Sequence, residues 1–370
     1  MAEVIRLDER AARRGDPSDP TARITPRAGR SPRRPVIPSP EELAEAAAFP
    51  DNGVPTLLPL QPPTPTDEAG RADGPRTSGA GSVRRISAAA EPDEWDQRVA
   101  SRLAFLRRRL TGEYDVDEFG FDPDLTDHVL IPMLRLLYQH WFRVEVSGVE
   151  NIPADGSALL VANHSGTIAL DALMLMVAVR DEHPKQRRVR SLGADLVFRL
   201  PLVNEFARKS GATLACTQDV ERLLNTGELV AVFPEGFKGV GKPFSERYKL
   251  QRFGRGGFVS AAMRTGAPIV PVSIVGAEET YPLVGDIKPL ARLLGAPYFP
   301  VTPLFPWLGP LGLIPLPSKW LIHFGEPIDT TPLGDGADDP MVVFNLGDQV
   351  REAIQQTLYN VLLRRTSIFG

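Results

Sequence analysis

The sequence predicts an α/β fold: a mostly parallel or mixed sheet flanked by helices, behind a long disordered N-terminal tail. Three observations predict it. From Phe142 onward, short β-prone apolar runs alternate with helix-like segments, the pattern of a mostly parallel sheet. Two of those runs, Ala158–Ala162 and Leu229–Phe233, end at polar turns that carry a histidine and a glutamate, and strand ends are where open α/β sheets place ligands. Before about residue 91 the chain is rich in Pro, Ala, Gly, Ser and Arg, holds no lysine and shows no hydrophobic period. Ordering that segment would cost entropy that no core offsets.

The chain divides accordingly into a Pro/Arg-rich tail over 1–91, an amphipathic helix with an acidic connector over 92–128, and a folded domain over 129–370. Its 370 residues, 42% hydrophobic and 24% charged, are enough for a sizeable core in a soluble or peripheral protein. A net charge of -4 argues against nucleic acid as a partner. Cys216 is the one cysteine, so no intrachain disulfide or cysteine metal cage forms, which fits a reducing, cytoplasmic setting. The N-terminus lacks the apolar core of a secretory signal. No His/Cys/Asp spacing supports a metal site.

In order, Trp95, Val99, Leu103, Leu106 and Leu110 form one helical stripe, with Arg107–Arg109 complementing the helix dipole. That helix can pack on the domain or lie on an anionic membrane. An acidic connector, Glu113 to Asp127, leads into an apolar helix over Val129–Phe142. Strands are expected at Phe142–Ser147, Ala158–Ala162, Val189–Leu192, Leu229–Phe233, Ile269–Val275 and Leu321–Phe324, and helices at Ala169–Val179, Val203–Arg208, Val220–Leu224 and Gly257–Thr265. Pro297 to Pro317 is uncharged and apolar, but its seven prolines exclude a continuous helix. Its aromatics suit a membrane interface. The last helix runs from Pro340 to about Arg364, capped by Asp338 and Asp339.

The candidate chemistry starts at Asn163-His164-Ser165-Gly166-Thr167, with Asp171 after it. Histidine suits proton transfer near neutrality, and a carboxylate within reach fixes its tautomer. Backbone amides around Ser165, Gly166 and Thr167 are candidate oxyanion donors. A second turn, Pro234-Glu235-Gly236, leaves Glu235 at a strand end. Gly236 to Lys242 matches the start of a phosphate loop, but Pro243 stands where a magnesium-binding hydroxyl belongs. What remains is a cationic stretch, Lys238, Lys242, Arg247, Lys249, Arg252 and Arg255, suited either to phosphates or to a solvated basic face. His140, His323 and Cys216 read as packed or interfacial residues. Ser165 lacks the Gly-x-Ser-x-Gly elbow of a nucleophile.

Asn163-His164-Ser165-Gly166 with Asp171, then Phe233-Pro234-Glu235-Gly236, then Ala267-Pro268-Ile269-Val270-Pro271-Val272, together resemble the glycerolipid (lysophosphatidic acid type) acyltransferase family. The resemblance covers roughly residues 144–328. It implies an α/β enzyme, peripheral on the cytoplasmic membrane surface, that moves a fatty acyl group from acyl-coenzyme A or acyl carrier protein to a lipid hydroxyl. No permanently bound cofactor is implied, since a thioester is already activated. By that resemblance His164 is the general base, Asp171 orients it, and Glu235 and Gly236 shape the acceptor site. The commonest family spacing has four residues between His and Asp. Here Ser165 to Leu170 make six, which still lets Asp171 meet His164 if the turn bulges. The run Gly211–Thr217 lacks the arginine usual for phosphorylated acceptors and leaves room for a neutral acylglycerol. The alternatives are a lysophosphatidate or glycerol-phosphate acyltransferase, and a non-catalytic lipid-binding protein on the same fold.

Overall fold

The computed structural model describes residues 94–200, 203–254 and 256–369, with side chains from residue 99. The expected tail over 1–91, the Trp95 side chain and Arg255 lie outside the described residues.

Seven strands form the main sheet: β1 (Glu145–Ser147), β2 (Ala158–Ala162), β3 (Val189–Gly193), β4 (Thr213–Leu214), β5 (Leu229–Val232), β6 (Ile269–Val275) and β9 (Leu321–Phe324). Between the last two, β7 (Gly285–Asp286) and β8 (Pro300–Val301) make a separate antiparallel pair. The main sheet runs β1-β9-β6-β2-β5-β3-β4, parallel at every pairing except β6 with β9. It is therefore a mixed sheet.

Every residue of β2, β5 and β6 is buried. Helices cover both faces, which is why these strands read as unbroken apolar runs instead of alternating ones. Leu160 and Ala162 meet Met174, Leu175 and Ala178 of the helix Leu170–Glu182, together with Ile131 and Tyr138 from a helical run over 123–141. Leu159 and Val161, on the opposite face by the two-residue period, join Leu223, Ala262, Val350 and Ile354 from the helices Thr217–Asn225, Gly257–Thr265 and Pro340–Arg364. Pro271 of β6 pairs in register with Val161.

The acidic connector is docked onto the domain. Asp122 caps the run over 123–141 through Leu125 N, binds Arg109, and donates its own N–H to the Lys209 carbonyl. Arg190 of β3 is buried, ion-paired to Asp117 at 2.7 Å, and stacks on Phe121. The helix Glu94–Thr111, in contrast, leaves Leu103, Leu106 and Leu110 at 64%, 56% and 83% exposure. Its apolar stripe is not covered by the described residues.

Expected and observed elements agree closely at β2, β6, β9 and the last helix. β1 is shorter than expected, and β4, the β7–β8 pair and the helices Asp195–Arg199 and Lys288–Leu293 were not foreseen. Two-residue strands and one-turn helices show no period to read. The proline-rich stretch forms β8 and a tight turn at Gly309–Leu313, not a long helix. Among the described residues no helix is long and apolar enough to cross a membrane.

Candidate active site

β2, β5 and β6 are mutually parallel around β2, so their carboxyl ends share one edge of the sheet. His164 follows β2 and Glu235 follows β5. Asn163, fully buried, fixes the exit of β2: its amide donates to the Ile274 carbonyl at 2.9 Å and its oxygen accepts from Ile274 N at 2.7 Å. Asparagine here substitutes side-chain bonds for the ladder that the strand has just left.

His164 lies against Phe233, ring centroids 4.7 Å apart, with its side chain 14% exposed. Its Nδ1 is 2.8 Å from Asp171 Oδ2. That same oxygen accepts from Ser165 N at 2.9 Å, and Oδ1 accepts from Ala172 N at 2.9 Å. A carboxylate ringed by donors can only accept, so it favours the tautomer in which Nδ1–H donates to it and Nε2 is the bare nitrogen. Nε2 has no partner among the described residues.

The six-residue turn bulges through two left-handed positions, Gly166 at φ +95° and Thr167 at φ +60°. A Cβ at Gly166 would stand 2.9 Å from the Ala277 carbonyl. A β-branched residue at positive φ is strained and persists only when its surroundings hold it. Thr167 Oγ1 donates to the Tyr281 carbonyl at 3.1 Å, and Tyr298 OH donates to the Thr167 carbonyl at 2.6 Å. Ser165 N is taken by Asp171, so of the three amides those of Gly166 and Thr167 remain without a partner among the described residues. Ser165 Oγ is buried and has no partner either.

Glu235 does not open toward solvent. Its Oε1 accepts from His164 N at 2.9 Å and its Oε2 from Gln251 N at 2.6 Å. It supports the backbone of the histidine from behind. Gly239 in the following turn packs so closely that a Cβ would come 2.6 Å from the His164 carbonyl.

The cationic stretch does not converge. Lys238 is exposed on the turn after Gly236. Lys242 is buried, 3.1 Å from Glu278 and 3.7 Å from Glu235, so its charge is taken up inside the fold. Arg247 is exposed and stacks over Phe244, 4.5 Å from the ring. Arg252 lines a separate recess with Phe253, Val343 and Arg351. Cys216 is half-buried, and burial pushes its thiol up, against a nucleophilic role. His323 is hydrogen-bonded to Ser147 at 2.8 Å, and His140 is exposed.

Beside the histidine turn lies an apolar cavity of about 260 Å³, lined by Thr167, Phe237, Tyr281, Tyr298, Phe305 and Leu313 among others. Part of its wall belongs to the β7–β8 excursion, a stretch whose sequence suggests a membrane interface but not a cavity.

The family model described as Acyltransferase matches residues 143–275, from before β1 to the end of β6. A Mycobacterium tuberculosis protein (strain ATCC 25618 / H37Rv), described as uncharacterised, is 61% identical over 304 residues, covering 82% of this chain and 83% of its own. The human protein named DGAT1/2-independent enzyme synthesizing storage lipids is 26% identical over 196 residues, 52% of this chain and 56% of its own. Among solved structures, the 1-acyl-sn-glycerophosphate (LPA) acyltransferase PlsC of Thermotoga maritima matches 73% of this chain and 98% of its own, at TM-score 0.43 and 19% identity.

Proposed function

The chain belongs to the glycerolipid acyltransferase family, and from that premise we propose that it transfers a fatty acyl group from acyl-coenzyme A or acyl carrier protein to the hydroxyl of a neutral glycerolipid at a membrane surface. The observation that carries this reading is the His164–Asp171 pair, 2.8 Å apart at the end of β2, with Nε2 unpartnered among the described residues and Thr167 of the same turn lining an apolar cavity.

In this reading the acceptor hydroxyl gives its proton to His164 Nε2 as its oxygen attacks the thioester carbonyl. Asp171 holds the imidazole and stabilises its positive form. The oxyanion finds donors in the amides of Gly166 and Thr167. Collapse of the tetrahedral intermediate breaks the carbon–sulfur bond, and the imidazolium returns the proton to the departing thiolate. A positioned hydroxyl and an activated ester suffice, so no covalent enzyme is required. The apolar cavity suits a hydrocarbon chain.

Membrane contact is supported by the excursion that walls this cavity. Trp307, Leu308, Leu311 and Ile314 are 74%, 53%, 64% and 51% exposed. Apolar side chains at that density favour a lipid surface over water. The uncovered stripe of the helix Glu94–Thr111 adds a second apolar face with arginines beside it.

The neutral acceptor is supported by the run Gly211–Thr217, which holds no arginine, and by relatives named for the synthesis of storage lipids. A phosphorylated acceptor is the second reading, favoured by Lys238, an exposed cation just beyond Gly236. The test is acyl transfer from labelled palmitoyl-coenzyme A or palmitoyl-acyl carrier protein to monoacylglycerol, diacylglycerol, lysophosphatidate and glycerol 3-phosphate. Product from the first two supports the proposal. Product from the last two alone replaces it with the second reading. Lipid binding without turnover from either donor would make the protein a non-catalytic lipid binder.

A further inference from the structure

We infer that Lys242 is a positioning residue for His164, acting through Glu235 in a buried charged triad completed by Glu278. This rests on the acyl-transfer reading, with His164 as the base.

The Lys242 ammonium stands 3.1 Å from Glu278 Oε1 and 3.7 Å from Glu235 Oε2, and donates to the Lys249 carbonyl at 3.0 Å. The three side chains are 2%, 6% and 0% exposed. Glu235 reaches the His164 N–H with its other oxygen. Glu278 also accepts from Tyr248 N at 2.9 Å, while Glu235 accepts from Gln251 N. One ammonium thus joins the turn after β5 to the turn after β6, and through Glu235 reaches the exit of β2. These are the carboxyl ends of the three central parallel strands. The loop that brings Lys242 in is the one whose Gly239 packs on the His164 backbone.

Three buried charges are an inefficient way to stabilise a fold, because desolvation offsets most of the attraction and well-packed apolar residues often serve as well. A network of this kind does fix geometry, since each member has a directional partner. Its immediate beneficiary is the backbone of His164, whose Nε2 must meet an acceptor oxygen within hydrogen-bond reach. A misplacement on the order of 1 Å can reduce turnover about 100-fold. Lys242 touches no reacting atom in this arrangement; its effect passes through Glu235.

The test compares the full-length wild type with Lys242→Met and with the double variant Lys242→Met/Glu278→Gln. The single change leaves two buried carboxylates facing each other. At pH 8, above the range in which Glu278 titrates, the double change returns the triad's net charge to that of the wild type but removes the tether. Melting temperature, kcat and the donor KM are measured for each. We expect the single variant to lose both stability and turnover. The double variant should recover most of the melting temperature while kcat stays about 10- to 100-fold down with an unchanged donor KM. A double variant that regains wild-type kcat together with its stability would overturn the proposal, reducing Lys242 to a packing role. A single variant that does not fold leaves this decision to the double. Full activity in His164→Ala would contradict the underlying reading instead, and that failure shows without any Lys242 variant.

Discussion

His164 Nδ1 and Asp171 Oδ2 stand 2.8 Å apart although six residues separate them in sequence. The longer turn is absorbed by left-handed backbone at Gly166 and Thr167, and the helix that carries Asp171 begins one residue before it, at Leu170. The aspartate is fully buried and also holds Ser165 N, so one carboxylate fixes both the ring and the start of the turn.

Asp171→Asn tests that arrangement. The amide nitrogen would have to face either Ser165 N and His164 Nδ1 or the Ala172 N–H. Every orientation sets donor against donor or forces the other imidazole tautomer. The expected result is a kcat lower by roughly 10²- to 10⁴-fold with the fold retained by circular dichroism. Activity within a few-fold of wild type would show that Asp171 is only a structural cap.

Two glycine substitutions should move in opposite directions. In Gly239→Ala the new Cβ meets the His164 carbonyl and the Glu235 Cβ at 2.6 and 2.8 Å. Neither the His164 carbonyl nor the Glu235 Cβ can give way without moving the histidine or its support, so both melting temperature and turnover should fall. In Gly347→Ala the Cβ finds Val259 Cγ2 at an ordinary 3.6 Å, inside the helix Pro340–Arg364. Alanine there should add about 0.5–1 kcal/mol, raising the melting temperature by roughly 2 °C with activity unchanged. Differential scanning calorimetry and the transfer assay read both.

Burial pushes the Glu278 carboxyl from 4.5 up to about 7, against the pull of Lys242. A raised folded-state value means that the folded protein holds a proton which the unfolded chain releases. The stability contributed by this group is therefore complete below about pH 4.5 and is lost as pH rises through about 7. Glu278→Gln mimics the protonated form at every pH. Denaturant titrations should show wild type losing stability relative to this variant from pH 4.5 to 7 and holding a constant difference above. A difference independent of pH would contradict the assignment.

Trp307→Ser/Leu311→Ser removes two large exposed side chains from the excursion beside the apolar cavity. Sedimentation with phosphatidylcholine/phosphatidylglycerol vesicles should show weaker binding, by about tenfold, from the apolar area lost to the bilayer. Transfer to a detergent-dispersed acceptor should be retained. Unaltered vesicle binding would move the membrane contact elsewhere, with the exposed stripe Leu103, Leu106 and Leu110 as the next face to test.

The central strands were legible because each is a short apolar run closed by a polar turn. Ala158–Ala162 and Ile269–Val275 need no knowledge of their neighbours to be read as buried strands. The bracketing of the first turn by His164 and Asp171 was legible too, since both lie within one local segment. Glu235 was found as a strand-end acid, but its support of the His164 N–H was not foreseen, because that bond joins residues 71 positions apart. Lys242 read as part of a cationic run suited either to phosphates or to a solvated basic face. Its burial depends on Glu278, 36 positions away. Asn163 was read as the end of a strand, while its two bonds to Ile274 require the register of β2 with β6. The apolar cavity needs the β7–β8 excursion folded back beside Thr167, which no periodicity announces.

In the proposed reaction His164 Nε2 takes the acceptor proton. The most direct measurement is single-turnover acyl transfer from labelled palmitoyl-coenzyme A or palmitoyl-acyl carrier protein to a monoacylglycerol or diacylglycerol, comparing wild type with His164→Ala and confirming equal folding and donor binding. Donor binding should stay within a few-fold of wild type while the transfer rate falls by at least about 10³-fold. A His164→Ala protein that transfers the acyl group at the wild-type rate would contradict that role for His164.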